Sequence, residues 1–376
     1  MDFSFSEEQQ LLQDTLRRYV ADHYGFERRK QVIASADGFS REVWKDFAGL
    51  GLLGLNVPAQ DGGLGGGAVE TMLVAGVLGE ALALEPFLSS AVSASHVIAT
   101  LANPAQRSSL LPALSDGDRL AVLAHPLAPA SAGDAPVRAT AHGGGWRLQG
   151  RIDAVYHAPA ADVLLVPAAS TPGSNACDAI FVIEAGAPGL TVAPFRSVDA
   201  QLAGDVILEG VQADAASRLG GAGAAVSQAL AAGVDIAVMA LCAETLGVLD
   251  KALALTVDYT RTRQQFGGPI GRFQVLQHRM VDMLMRIEMA RSLVYLAASR
   301  CDGGEPGERE SAVSAAKVLV AEAARFVGQQ AVQLHGGMGV ADESAISHYF
   351  KRLLAAEIRC GSAQAHLQRY AASMQE

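Results

Sequence analysis

Two short stretches concentrate the side chains that could hold a charged ligand with aromatic rings. The first, Arg263 to His278, reads RQQFGGPIGRFQVLQH. It offers a cation at Arg263, an aromatic ring at Phe266, and amides at Gln264, Gln265, Gln274 and Gln277. The second, Gln333 to Gly339, reads QLHGGMG. It adds the Gln333 amide, and at Gly336, Gly337 and Gly339 a backbone that a ligand can approach closely. Arginine matches a pyrophosphate in charge and in bidentate geometry. Glutamine amides suit an adenine edge or a ribose. Singly, each stretch has a plainer explanation: HGGMG also reads as a helix C-cap, and a lone Arg is most often a surface ion pair. Together, in a strongly apolar region, they predict an anion and a ring system held between helix ends.

The elements that must position them follow from periodicity. The Gly-Gly-Pro run at 267–269 cannot continue a helix, because Pro lacks a donor N–H and pushes its neighbour into an extended conformation. It therefore predicts a tight corner between two long helices. Helices are expected at about Ala224–Thr262, Phe273–Ser299, Glu310–Leu334, Glu343–Ile358 and Ala363–Ser373, packed as an antiparallel bundle. Residues 1 to about 117 also read as helical. Ser6 with Gln9 forms a capping box, Ser40 caps a second helix ending at Gly51, and a third runs from about Ala68 to Leu84. The run DGGLGGG at 61–67 reads as a flexible loop. It resembles a phosphate loop only superficially, since no Lys-Ser/Thr pair follows. Between the helical parts, Arg119–Ala124, Gly145–Leu148, Ala161–Val166, Ala179–Ile183 and Asp205–Leu208 are short apolar runs at close spacing. They predict a small β-barrel or sandwich, with a hairpin turn at Gly143-Gly144-Gly145. The expected domains are 1–117, helical; 118–215, β; and 216–376, a helical bundle.

At 376 residues the chain is too long for one ordinary core. The apolar region from Ala222 to Val257 is interrupted by Asp235, Glu244, Asp250 and Lys251, so a buried bundle helix is expected and no membrane span. Acids at Asp2, Glu7 and Glu8 argue against a leader peptide. The four cysteines, Cys177, Cys242, Cys301 and Cys360, form no CxxC pair, so free thiols in a reducing, cytoplasmic setting are expected, with no metal site. The net charge of −10 argues against a nucleic-acid surface.

The string Arg-x-x-Phe-Gly-x-Pro-Ile…Phe-Gln-x-x-Gln at 263–277 and the string Gln-x-His-Gly-Gly-x-Gly at 333–339 resemble the acyl-CoA dehydrogenase family. SEEQ at 6–9, GLLGL at 51–55 and DGGLGGG at 61–67 extend the resemblance into the N-terminal part. HYFKRLL at 348–354 and AHLQRYA at 365–371 are similar to the small-subunit type of the pimeloyl-CoA and steroid side-chain enzymes. The resemblance implies a helical N-domain, a β middle domain and a C-terminal four-helix bundle. It also implies FAD, an acyl-CoA substrate, an electron-transfer acceptor and a role in lipid or steroid catabolism. In the family FAD lies across a dimer interface. One subunit's β domain holds the isoalloxazine, and the neighbour's bundle holds the pyrophosphate and adenosine. Carried over, Arg263 and Gln265 meet the pyrophosphate, Phe266 packs on the cofactor, and Gln274 meets the adenine end. Gln333, Gly336 and Gly337 approach from the second corner.

The chain departs from the family pattern where chemistry is done. The base is expected just before Gly-Thr in the last domain, where this chain reads Arg359-Cys360-Gly361-Ser362. An alternative base position falls at Ala237, with Asp235 and Glu244 the nearest acids. The flavin-side Thr-Glu-Pro becomes Ala124-His125-Pro126, and the aromatic-x-Ser/Thr pair becomes Ala154-Val155-Tyr156. No catalytic residue is therefore assigned. Kept and lost residues fall on opposite sides of the dimeric site, which implies an α2β2 assembly with a paralogous chain. The alternatives are a homo-oligomer with a relocated base at Glu244 or Asp235, a flavin monooxygenase on the same fold, and an assembly subunit without flavin contact.

Overall fold

The structure, a computed structural model, describes residues 5–125, 135–221 and 223–374. Two compact units emerge. One comprises Met1–Gln31, Met72–Ala83 and Val238–Glu376; the other comprises Val32–Thr71 and Leu84–Ala237.

The second unit holds the two larger sheets. Its helices are α3 (Arg41–Gly49), α5 (Ser95–Leu101) and α6 (Pro104–Ser115), with a π-helix at Phe87–Ala94 leading into α5. Ser40 caps α3 by accepting from the Val43 N–H, as its position before an apolar face predicts. One sheet joins β1 (Ala121–Leu123), β4 (Val163–Ala168) and β5 (Ala179–Glu184). The other runs in the order β2-β3-β7-β6, antiparallel throughout, from β2 (Val137–His142), β3 (Gly145–Tyr156), β6 (Leu190–Arg196) and β7 (Leu202–Ala213). The Gly143-Gly144 turn closes the β2–β3 hairpin as expected. Apolar residues of α5, α6, β1, β4 and β5 form one core, among them Ile98, Leu111, Leu123, Leu165 and Ile180. Two strands carry no apolar-run signature: β2 and β6 are the edges of their sheet. An edge strand tolerates exposed polar residues such as Arg138 and Thr140, and it tolerates Pro194, whose missing donor would break a central ladder. The 61–67 loop is packed, not loose. Leu64, Gly65 and Gly66 donate to the carbonyls of Gly54, Val57 and Leu55, and a side chain at Gly63 would overlap the Val57 carbonyl.

The other unit is a helical bundle. It contains α1 (Glu7–His23), α2 (Phe26–Ile33) through Gln31, the Met72–Glu80 part of α4 (Ala68–Glu80), and α7 (Ala224–Thr262) from Val238. It continues with α8 (Gln274–Gly303), α9 (Pro306–His335), α10 (Ala345–Ile358) and α11 (Ala363–Ser373). The capping box at Ser6 and Gln9 is present. α4 and α7 cross at van der Waals limit through glycines. A Cβ on Gly79 would lie 1.9 Å from the Glu244 carbonyl oxygen, and one on Gly247 would lie 1.9 Å from that of Gly76. α7 is the one helix among the described residues long and apolar enough by composition to cross a membrane, but half of its most apolar window is buried in the fold.

The Gly-Gly-Pro corner differs from expectation. α7 does stop at Thr262, but the chain then forms a two-stranded hairpin. Its strands are β8 (Gln264–Gln265) and β9 (Gly268–Pro269), turning on Phe266 and Gly267. The physical reason is local: Phe266 and Gly267 both take positive φ, +50° and +78°, the signature of a two-residue hairpin turn.

Candidate cofactor site

The end of α7 sets Arg263. Its N–H donates to the Tyr259 carbonyl at 2.8 Å, and its own carbonyl accepts from Ile270 at 3.0 Å across the hairpin. Arg263, Gln264, Gln265 and Phe266 are all exposed, Phe266 at 82 %. An aromatic ring left so open, beside an exposed guanidinium, offers contact area and charge at one place. Gln274, exposed, opens α8, and the Phe273 ring before it meets Phe266 edge-on at 6.1 Å.

The second corner closes α9. Gln333 is exposed in its last turn, and Gly336 and Gly337 are exposed beyond it. Gly336 takes φ +61°, ψ −137°, a conformation that only glycine adopts without strain. A Cβ at Gly336 or Gly337 would meet nothing within 4 Å. The backbone at these two glycines is therefore open to close approach by a ligand.

Two contacts bring the corners to one end of the bundle. The Tyr259 ring stacks on His335, centroids 4.4 Å apart. Arg279 of α8 donates to Gln330 Oε1 of α9 at 3.2 Å. His335 is buried, with Nδ1 2.8 Å from the Ala331 carbonyl, and burial pushes its pKa down, so the imidazole is neutral at physiological pH. Sequence reasoning missed Tyr259, Arg272 and Arg279. The signal available, for Tyr259, was its four-residue spacing from Arg263, which directly follows the last turn of α7. This set of groups fits a dinucleotide: a cation for phosphates, amides for a base or sugar, an open ring, and bare backbone.

The positions expected to carry the flavin ring or the base are built differently. Cys360 is half-buried with φ +58°, and its carbonyl accepts from His366 Nε2 at 2.8 Å. Just before it, buried Lys317 caps the end of α10 by donating to the Ala356 and Glu357 carbonyls at 2.7 and 3.1 Å. The acid nearest in sequence, Glu357, is paired with Arg325. Glu244 is buried and locked to Arg352, which also donates to the Ala83 carbonyl at 3.1 Å. A carboxylate so paired is engaged by a structural partner and is not presented to a substrate. Asp235 is fully buried in the strand-bearing unit. Ala154 sits in a bulge of β3 at φ +55°, its N–H donating to Asp205 Oδ1 at 2.9 Å. A methyl group stands where the resemblance expects an aromatic ring. Tyr156 is buried, and Ala124 lies at the end of β1; Pro126 falls outside the described residues.

Comparison with known proteins identifies relatives of this chain. The family model described as "Acyl-CoA dehydrogenase, N-terminal domain" matches residues 6–118, and "Acyl-CoA dehydrogenase, C-terminal domain" matches residues 216–375. Acyl-CoA dehydrogenase FadE27 of Mycobacterium tuberculosis is 31% identical over 382 residues, covering 100% of this chain and 99% of that protein. Among solved structures, the ChsE4–ChsE5 complex of Mycobacterium tuberculosis matches with a TM-score of 0.90 at 31% identity, covering 100% of this chain and 99% of the other. A variant of the Tcur3481–Tcur3483 steroid ACAD matches with a TM-score of 0.88 at 32% identity, covering 98% of each chain.

Proposed function

This chain belongs to the acyl-CoA dehydrogenase family, and from that membership we propose that it is one subunit of a two-component, FAD-dependent acyl-CoA dehydrogenase. Its bundle holds the pyrophosphate and adenosine of FAD, and a paralogous chain supplies the flavin-ring pocket and the base, in an α2β2 assembly. The family's enzymes are oxidoreductases acting on the CH–CH bond of acyl-CoA thioesters. The domains correspond to residues 1–117, 118–215 and 216–376. The setting is cytoplasmic, and an electron-transfer protein is the acceptor.

The observation that carries this reading is the asymmetry of the site. Arg263, Gln265, Phe266, Gln274, Gln333, Gly336 and Gly337 stand exposed at one end of the bundle. The acids nearest the two expected base positions are paired or buried, Glu357 with Arg325, Glu244 with Arg352 and Asp235 in the interior, and Cys360 stands at the expected base position itself. The exposed residues would hold FAD, which would supply the hydride acceptor for the reaction. Arg263 neutralises the pyrophosphate, the glutamines orient the nucleoside, and the bare backbone at Gly336 and Gly337 admits it. Proton removal then falls to the partner. The similarity to the ChsE4–ChsE5 complex and to a steroid ACAD named by two components supports a paired assembly. It also supports a polycyclic, steroid-like acyl group as the substrate class.

The test is expression of this chain alone and together with a paralogous chain that keeps the carboxylate base. The pair should bind FAD and dehydrogenate an acyl-CoA, while the chain alone should do neither. A homomer with bound FAD and full activity would overturn the reading.

A further inference from the structure

We propose that Arg272 is a positioning residue for the FAD half-site: it locks the 264–269 hairpin in the conformation that presents Arg263 and Gln265. The proposal rests on the FAD assignment above and adds to it a residue that touches neither phosphate nor base.

The hairpin needs a lock. Gly267 adopts its positive φ freely, but at Phe266 the left-handed conformation costs roughly 1 kcal/mol or more. The two strands are also only two residues each, too short to hold themselves. Arg272 supplies what is missing. Its Nη2 donates to the Phe266 carbonyl at 2.5 Å and its Nη1 to the Gly267 carbonyl at 3.3 Å. One planar guanidinium thus holds both carbonyls of the turn. Its Cζ also lies 5.2 Å from the centre of the Phe273 ring, the same ring that meets Phe266 edge-on. Gln277 extends the arrangement by donating to the Gly271 carbonyl at 2.9 Å, which fixes the turn after the hairpin to α8.

Gly268 makes room for this lock. A Cβ there would stand 2.8 Å from Arg272 Nη1 and 3.2 Å from Cζ. The φ of Gly268 is not in the left-handed region, so alanine there would displace the guanidinium, the far end of a flexible side chain, without straining the backbone. Lysine cannot replace Arg272 fully, because one ammonium lacks the planar fork that spans two carbonyls.

The experiment measures FAD affinity in the native assembly, purified through a tag on this chain, for Arg263→Ala, Arg272→Ala, Arg272→Lys, Gly268→Ala and the Arg272→Ala/Gly268→Ala double variant. Thermal melting and subunit composition are followed in parallel. Arg272→Ala should weaken FAD about tenfold, the scale of losing two hydrogen bonds that hold a binding conformation. Arg272→Lys should fall between it and the wild type. Gly268→Ala should reproduce Arg272→Ala, because its methyl evicts the guanidinium. The double variant should be no weaker than Arg272→Ala, and melting should be unchanged, since the hairpin is on the surface. Unaltered FAD affinity in Arg272→Ala, with Arg263→Ala impaired, would overturn the positioning role while leaving the FAD assignment standing. Additive losses in the double variant would also overturn it. Unaltered affinity in Arg263→Ala would instead remove the FAD assignment, and this proposal with it.

Discussion

Tyr259 lies flat against His335, ring centroids 4.4 Å apart and planes 24° from parallel. This one contact joins the helix end that carries Arg263 to the helix end that carries Gln333, Gly336 and Gly337. Tyr259→Ala should therefore loosen both corners at once. The aromatic pair contributes about 1 kcal/mol, so FAD affinity should fall several-fold to tenfold and the melting temperature should drop slightly. Tyr259→Phe should behave as wild type, because the ring makes the stack. Flavin titration alongside thermal melting checks both, and a Phe variant as impaired as the Ala variant would contradict the stacking role.

Glu244 and Arg352 form a buried pair, 6 % and 2 % exposed. Removing one charge leaves the other buried without compensation, so Glu244→Gln should cost roughly 3 kcal/mol or more of stability. In the assembled enzyme, turnover per folded molecule should be retained. A stable Glu244→Gln enzyme with its dehydrogenation step abolished would make Glu244 the base and remove the need for a partner.

The α4–α7 crossing leaves no room for a methyl group. Gly79→Ala and Gly247→Ala each place a Cβ 1.9 Å from a carbonyl oxygen on the facing helix. Either should destabilise the bundle by about 3 kcal/mol, the upper range for overpacking. Chemical denaturation should show a lower midpoint, whereas Gly307→Ala, near the exposed start of α9, should leave it unchanged.

Acid should destabilise the bundle through its buried imidazoles. Burial lowers the pKa of His335 and His348, and drives that of His366 from 6.5 to about 4. Each folded-state pKa lies below the unfolded value. The stability they contribute is therefore complete above about pH 6.5 and is lost as pH falls through the folded values. For His366 alone the full loss, reached below pH 4, is about 3 kcal/mol. Stability measured by denaturant at pH 7.5, 6 and 5 should fall in that order. A flat profile over this range would contradict neutral, buried histidines.

The sequence disclosed the long elements and hid the links between them. The helix at Ala363–Ser373 emerges with the expected bounds, and α7 likewise, because a sustained apolar face and clear breakers mark both. Strands β2 and β6 escaped because each is a sheet edge, where packing does not impose an apolar run. The Gly-Gly-Pro corner was legible as a break but not as a hairpin, since Phe266 at positive φ violates the usual preference for glycine or asparagine there. Arg263, Gly336 and Gly337 stand exposed at the helix ends to which motif spacing assigned them. The Tyr259–His335 stack and the Glu244–Arg352 pair join residues far apart in the chain, and local pattern says nothing of such partners. The tightness of the 61–67 loop was hidden for the same reason: its hydrogen bonds go back to residues 54–57.

The most direct test of the divided site is the composition and flavin content of the assembly isolated through a tag on this chain, measured by native mass spectrometry. The account predicts two unlike chains in equal numbers, one FAD for each unlike pair, and release of that FAD when Arg263 is replaced by alanine. A homo-oligomer carrying one FAD per copy and dehydrogenating acyl-CoA unaided would contradict it.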